Sequence, residues 1–385
     1  MRNLFLTGGV LLMLITSCKK QTELVTAEPE TQLQQKPFCG MEEAMANMLP
    51  EYRNAMSRTE TTTPATELLL FLDFDGAMVL PGHGTAQGGN VTSPIVRFRH
   101  DVPSPTLSPA QIEEIIQLVK DDFSPFNIQV TTSQAVYDAY LRSNKQVCII
   151  TKTPGHVGFR NALAGVSPWA GLGYRLADNP CFVFADPIGS DLKLIALVIS
   201  HEVGHTMGLG HQGQYDEECR FYSDYNGGFG TGPLSFVPIM GMSRKRISNW
   251  FAQPCLVPYY SIPQNDFVFL NNQVELREDD FPNSPTGNKT NTAPEINGIL
   301  EQDGDVDFIR INFKNPGPVT ITSENIDIKA SLYLPNGQLI AEYENPDDTH
   351  VIIPSANGMR YLKIEAVSNA NMSSQFMTGM YKIKY

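Results

Sequence analysis

Apolar residues recur at helical spacing through Leu192, Ile195, Ala196, Ile199 and Val203. Ser190 and Asp191 offer a capping side chain and a first-turn acid, and Gly208 can take a positive φ that stops a helix. The pattern predicts a helix from about Asp191 to Met207. A second helix start stands at Ser108-Pro109-Ala110-Gln111, with proline just inside it and Ile112, Ile115, Ile116 and Val119 on one face. Apolar runs bounded by turn residues predict strands at Leu68–Phe74, Asn127–Thr132 and Gln146–Thr151. Strands alternating with helices indicate an α/β domain with a mixed sheet. The rhythm changes near the end of the chain. Phe308–Phe313, Val319–Thr322, Ala330–Leu334, Leu339–Tyr343, His350–Pro354, Tyr361–Ala366 and Tyr381–Tyr385 read as short strands. Turn signals such as Pro335-Asn336-Gly337 separate them, the pattern of an all-β sandwich. Asp279 to Glu295 has no apolar period and reads as the linker between the two.

The N-terminus has a different character. Arg2 precedes a short apolar run, Leu4 to Ile15, as in an export signal, and the run is too short to span a bilayer comfortably. Leu14-Ile15-Thr16-Ser17-Cys18 resembles the lipobox of bacterial lipoproteins, which implies removal of the signal and lipid on Cys18; an ordinary cleaved signal is the alternative. The resemblance implies an exported lipoprotein at the outer membrane or cell surface, or a secreted form, with the lipid as its one membrane contact. Lys19 to Gln35 reads as a flexible tether, and Glu42 to Thr59 as a short helix. A net charge of −13 supplies no basic stripe for nucleic acid, and the chain is expected to be a monomer.

The candidate chemistry lies at the end of the first helix described. His201 to His211 reads H-E-V-G-H-T-M-G-L-G-H and holds three of the chain's seven histidines. His201 and His205 are one helical turn apart, so both imidazoles leave the same face. Past Gly208 the chain can turn back and bring in His211 as a third nitrogen. Three protein ligands with a fourth position open suit a catalytic zinc. Glu202, next to the first ligand, is placed as general base on a zinc-activated water.

The His201–His211 segment resembles the extended zinc motif of the metzincin metallopeptidases. In that clan a methionine in a tight turn lies beneath the metal; Val237-Pro238-Ile239-Met240-Gly241 looks like that turn, with Met240 as its methionine. Some members have a tyrosine two residues later, but here that position is Met242, so no tyrosine is expected from the turn. Leu72–Gly76, Ser124–Thr132 and Cys181–Asp186 also look like segments of bacterial secreted members. The resemblance covers about Leu68 to Phe269. It implies a metzincin-like catalytic domain with a mixed five-stranded sheet and an active-site helix, plus a C-terminal sandwich similar to prepeptidase C-terminal domains. By the same resemblance, the region from Gly155 to Asn179 would hold an edge strand that pairs with an extended peptide substrate; a plain surface loop is the alternative.

Pro37-Phe38-Cys39-Gly40 is similar to the propeptide segment of matrix metalloproteases, whose thiolate fills the fourth zinc position. That makes Cys39 a candidate latency thiol, against the simpler reading of a linker cysteine. Apart from Cys18 there are five cysteines, which allow fifteen ways to form two bridges. The expected arrangement is Cys148–Cys181 and Cys219–Cys255, with Cys39 left over. Asp303, Asp305 and Asp307 are candidate calcium ligands, or a solvated acidic turn. His83, His100, His156 and His350 are isolated, and no metal role is expected of them.

The organisation expected is a signal peptide (1–17), a tether or propeptide (18–66), a zinc metallopeptidase domain (67–280), a linker (281–294) and a β-sandwich (295–385). The function expected is zinc-dependent endopeptidase action on extracellular proteins or peptides. The competing reading is a surface-tethered module that binds a glycan or protein, with peptidase activity secondary. Retention of Glu202 separates the two, because a chain used only for binding has no need of a general base.

Overall fold

The computed structural model describes residues 39, 40, 43, 44, 46, 48, 64–82, 90–159, 163–169, 171–173, 175–256, 263–286, 290–369, 371–373 and 377–385. The export signal, Cys18, the tether, most of the 42–59 helix and His83 lie outside them. Lys36–Tyr385 is one compact unit.

Its first part is built on a five-stranded mixed sheet. The strands are β1 (Leu68–Asp73), β2 (Ile128–Thr131), β3 (Lys145–Thr151), β4 (Gly165–Val166) and β5 (Cys181–Phe184), in the order β2-β1-β3-β5-β4. β1, β2, β3 and β5 run parallel, and the edge strand β4 is antiparallel to β5. Every residue of β1, β3 and β5 is buried, as expected of central parallel strands covered on both faces. Helix α1 (Pro109–Asp122) starts at the predicted Ser108, which forms a reciprocal capping box with Gln111.

Helix α2 (Leu192–Thr206) carries the histidine motif. The predicted start differs in one respect: Asp191 itself is the N-cap, accepting from the Leu194 amide at 3.0 Å, and Ser190 lies outside. From Ile195 onward all of α2 is buried, which is why its apolar positions are not confined to one stripe. Gly208 follows with φ +88°, the left-handed conformation predicted for the residue that ends the helix.

Two short parallel strands, β6 (Phe236–Pro238) and β7 (Ile247–Asn249), flank the Met240 turn. Cys219 and Cys255 form the expected disulfide around this region. The other expected bridge is absent. Cys148 and Cys181 are opposed in register on β3 and β5, yet both are free, fully buried thiols. Neighbours in a parallel register project side by side from one face, whereas a bridge requires their sulfurs to turn toward each other at a steep dihedral.

The C-terminal part is a seven-stranded sheet around a separate apolar core. Its strands are β8 (Thr290–Asn291), β9 (Glu295–Leu300), β10 (Val306–Ser323), β11 (Ile328–Tyr333), β12 (Leu339–Glu344), β13 (Val351–Ala366) and β14 (Gly379–Lys384). The main path is β9-β14-β10-β13-β11-β12, all antiparallel, with β8 parallel to β10. Four of the short strands read from the sequence are halves of two long ones, β10 and β13. Asn315-Pro316-Gly317-Pro318 does not end β10; the register shifts between Phe313 and Val319. All seven strands are joined by hydrogen bonds through these two long strands. The linker is also less independent than its composition indicates. Asp280 accepts from the Ile299 amide at 3.1 Å, and Asn283 from the Val306 amide at 2.9 Å, which ties both to the sheet.

Candidate metal centre and its surroundings

His201 and His205 leave one face of α2 with ring centroids 4.8 Å apart, and His211 returns to within 4.8 Å of His205 and 5.4 Å of His201. One nitrogen from each, together with the Cys39 sulfur, lies within 4.8 Å of the others. Two of the rings are oriented by backbone carbonyls. His201 Nδ1 lies 2.8 Å from the Ile239 carbonyl, and His205 Nδ1 lies 2.8 Å from the Leu209 carbonyl. With Nδ1–H donating there, each Nε2 carries its lone pair into the cluster. Burial lowers the His201 pKa to about 4. Burial also holds His205 and His211 well below the usual range, reinforced by neighbouring histidine charge. All three are thus neutral and able to ligate. The donor set, three imidazoles and a thiol, fits a tetrahedral metal of zinc type.

The glycines of the motif region make room for the site. A Cβ on Gly204 would lie 2.5 Å from the Met240 sulfur, so the absence of a side chain lets Met240 pack directly on α2. The turn itself is closed by the Gly241 amide donating to the Pro238 carbonyl at 2.8 Å. The Met240 carbonyl accepts from the Gln212 amide at 2.8 Å, which fixes the residue after His211. Likewise, a Cβ on Gly165 of the edge strand would fall 2.3 Å from Glu202 Oε1. Glu202 therefore sits fully buried between the edge strand and the histidines.

The N-terminal segment occupies this cleft. The Cys39 sulfur is 3.4 Å from His205 Nε2 and 3.6 Å from Glu202 Oε2, to which it donates. Cys39 pairs with Gly165 in parallel, and the Gly40 amide donates to the Gly165 carbonyl at 2.9 Å. The residue left over in the cysteine count is thus placed at the histidines, and the glycine-rich region expected to form an edge strand does so. Sequence reasoning assigned nothing to Tyr225. Its ring packs on His211 at 4.3 Å, and its hydroxyl donates to the Cys39 carbonyl at 3.4 Å. No spacing signal marks this tyrosine, because it arrives on a loop between the third histidine and the Met240 turn.

A second cluster corrects the calcium expectation. Asp279, Asp305 and Asp307 offer one set of close oxygens, and Asp279, Asp280 and Glu301 another. Asp303 is exposed and belongs to neither set. The turn at 302–305 aims Asp303 outward, while the period-two alternation of β10 carries Asp307 inward. One carboxylate oxygen each of buried Asp305 and Asp307 has no hydrogen-bond partner. Burial, then proximity to Asp305, raises Glu301 to about 9. Burial also raises Asp307 to about 9, and a hydrogen bond from the Tyr381 hydroxyl at 2.6 Å opposes the shift.

Among the described residues, no helix is long and apolar enough to cross a membrane. No protein-family model matches the chain, and no curated protein matches it. Among solved structures, the pre-peptidase C-terminal domain of a collagenase from Bacillus anthracis is similar to 25% of this chain and 94% of its own, at 18% identity and a TM-score of 0.19. A likeness that slight carries no argument. What stands is a mixed α/β chain with a large antiparallel sheet and a buried cluster of three histidines and a cysteine able to hold a metal ion.

Proposed function

We propose that this chain is a zinc-dependent endopeptidase of metzincin type, with His201, His205 and His211 as metal ligands and Glu202 as general base. The observation that carries the reading is the convergence of three neutral imidazoles on one point with a buried carboxylate beside it. A zinc ion held there supplies a Lewis acid for the scissile carbonyl and lowers the pKa of water to about 7. Glu202 takes the proton from the attacking water and delivers it to the leaving amine nitrogen. The edge strand β4 offers main-chain groups to an extended peptide, and Gly165 leaves space for Glu202 beneath it. Met240 packs under the ligand helix. The surface-binding alternative gives no reason for a carboxylate buried against the histidines.

In this reading residues 67–280 form the catalytic domain, 281–294 the linker and 295–385 the appended β domain. The segment before residue 67 acts as a propeptide, and Cys39 holds the enzyme latent by taking the fourth metal position. The parallel pairing of Cys39 with the edge strand supports this, since the segment lies in the groove that a substrate would use. The apolar run ending at Cys18 supports export with lipid on that cysteine. Calcium is proposed at Asp279, Asp280, Glu301, Asp305 and Asp307, where a hard divalent cation would satisfy buried carboxylate oxygens. Terbium, a luminescent calcium analogue, should be sensitised there by Tyr381, and calcium should displace it. Asp279→Asn should weaken binding and Asp303→Asn should not.

The first assay is digestion of an unfolded protein by the chain starting at Lys19, with and without a thiol-modifying reagent, a zinc chelator and added zinc. Cleavage that follows zinc supports the reading. A chain with its thiol modified and zinc bound that cleaves no protein or peptide would refute it.

A further inference from the structure

The β domain touches the histidine cluster by two buried polar routes, and both begin at Asn325. This residue lies between β10 and β11 and is 2% exposed. On the first route, its Nδ2 donates to Asp122 Oδ1 at 3.1 Å, at the end of α1. The other oxygen of Asp122 accepts from the Ser200 hydroxyl at 2.6 Å, on α2 immediately before His201. On the second route, the Asn325 carbonyl accepts from Asn249 Nδ2 at 3.4 Å, and Thr378 of the same domain accepts from that nitrogen at 2.7 Å. The Asn249 carbonyl accepts from the Ile239 amide at 2.9 Å. The Ile239 carbonyl is the one that orients His201. Asn325 Oδ1 also accepts from the Ser248 amide at 3.4 Å, completing its own contacts on β7.

Two adjacent residues of α2 are therefore held from two sides by one asparagine of a different domain. The surroundings reinforce this. The Met380 amide donates to Asp121 Oδ1 at 2.6 Å, and Trp250 Nε1 donates to the Asp122 carbonyl at 2.6 Å. Groups that are fully buried and hydrogen-bonded in a chain restrict one another's orientation, because each lost partner leaves an unsatisfied polar atom. A carbonyl that orients a ligating imidazole is part of what sets metal affinity.

We propose that Asn325 is a positioning residue for the histidine cluster, so that the β domain is a working part of the metal site and not only an appended binding module. This rests on the reading of His201 as a metal ligand. Its geometric part, the ordering of α2 by Asn325, holds without the metal.

The test uses the full chain with three substitutions. Asn325→Ala breaks the first route and also removes the Ser248 contact on β7, keeping the backbone contact to Asn249; Ser200→Ala breaks the first route alone, and Ile311→Val trims the core of the β domain without touching either. Zinc affinity, measured by competition with a chromophoric chelator, should fall about tenfold or more in Asn325→Ala. It should fall less in Ser200→Ala and stay at the wild-type value in Ile311→Val. In the zinc-free chains, amide exchange across Leu192–Thr206 should quicken in the same order. Should Asn325→Ala fail to fold, the Ser200→Ala and Ile311→Val pair decides in the same way. Wild-type affinity and exchange in Asn325→Ala and Ser200→Ala would overturn the proposal, as would an equal loss in Ile311→Val. A wild-type chain that takes up no zinc would refute the metal reading, and the exchange comparison would still decide the role of Asn325.

Discussion

The histidine cluster and the acidic cluster both gather metal-capable groups, but they are balanced in opposite ways. At the histidines, the Ile239 and Leu209 carbonyls orient two rings, and burial keeps all three rings neutral. The site is preorganised and carries little repulsion. At the acids, two sets of three carboxylates share Asp279; Asp305 and Asp307 each keep an unpartnered oxygen, and burial raises Glu301 and Asp307 toward the protonated form. The first arrangement suits a group that takes part in chemistry and must stay in one geometry. The second suits a cation whose role is to hold chain segments together.

The strongest way to break the comparison is Glu202→Gln. It should lower peptide hydrolysis by about 10³-fold while zinc stoichiometry stays at the wild-type value, because the proposed function makes the carboxylate a base and not a ligand. Loss of zinc instead would mean that the carboxylate helps hold the metal. Next in size is Cys39→Ala, which should raise the activity of the full chain several-fold, and thiol modification of the wild type should do the same. Unchanged activity in both would reduce Cys39 to a packed linker residue.

A smaller effect separates the two clusters by pH. Glu301 and Asp307 have folded-state values raised to about 9, so the folded chain binds more protons than the unfolded one across the interval below that. Their contribution is fully present below the usual carboxylate range and is lost as pH rises toward 9. The melting temperature without calcium should therefore fall between pH 6 and pH 9, and calcium should raise it most at the upper end. A calcium shift that is equal at both values would argue against binding at these acids. Smallest is Gly204→Ala, which forces a Cβ against the Met240 sulfur and should cost about 1–3 kcal/mol of stability in denaturant unfolding. A neutral result would show that Met240 moves aside freely.

Legibility in the sequence followed the range of the interactions involved. His201, Glu202, His205, Gly208 and His211 lie within one helix and its terminal turn, so their spacing alone places them on one face with a return loop. The helix start at Ser108 and the buried strands β1 and β3 were legible for the same reason. The calcium expectation went astray because it weighed only neighbours in sequence. Asp303, close to Asp305 in the chain, points to solvent, while Asp279 and Asp280 arrive from well upstream in the chain. The Cys148–Cys181 expectation found the right neighbours and the wrong bond, since strand register places the two thiols side by side and they stay free.

The sequence by itself determined the ligand helix, its end and the chemical character of the donors, because helical periodicity and glycine's backbone freedom act over a few residues. Only the tertiary structure decided that Cys39 lies at His205, that Tyr225 covers His211, and that Asn325 is linked to Ser200 through Asp122 and to the Ile239 backbone through Asn249. Tyr225 arrives on a loop that no local pattern marks, and the Cys39–His205 and Asn325–Asp122 contacts join residues more than a hundred and fifty positions apart. They exist because burying two apolar cores against each other brings polar groups into a dry space, where each must find a partner.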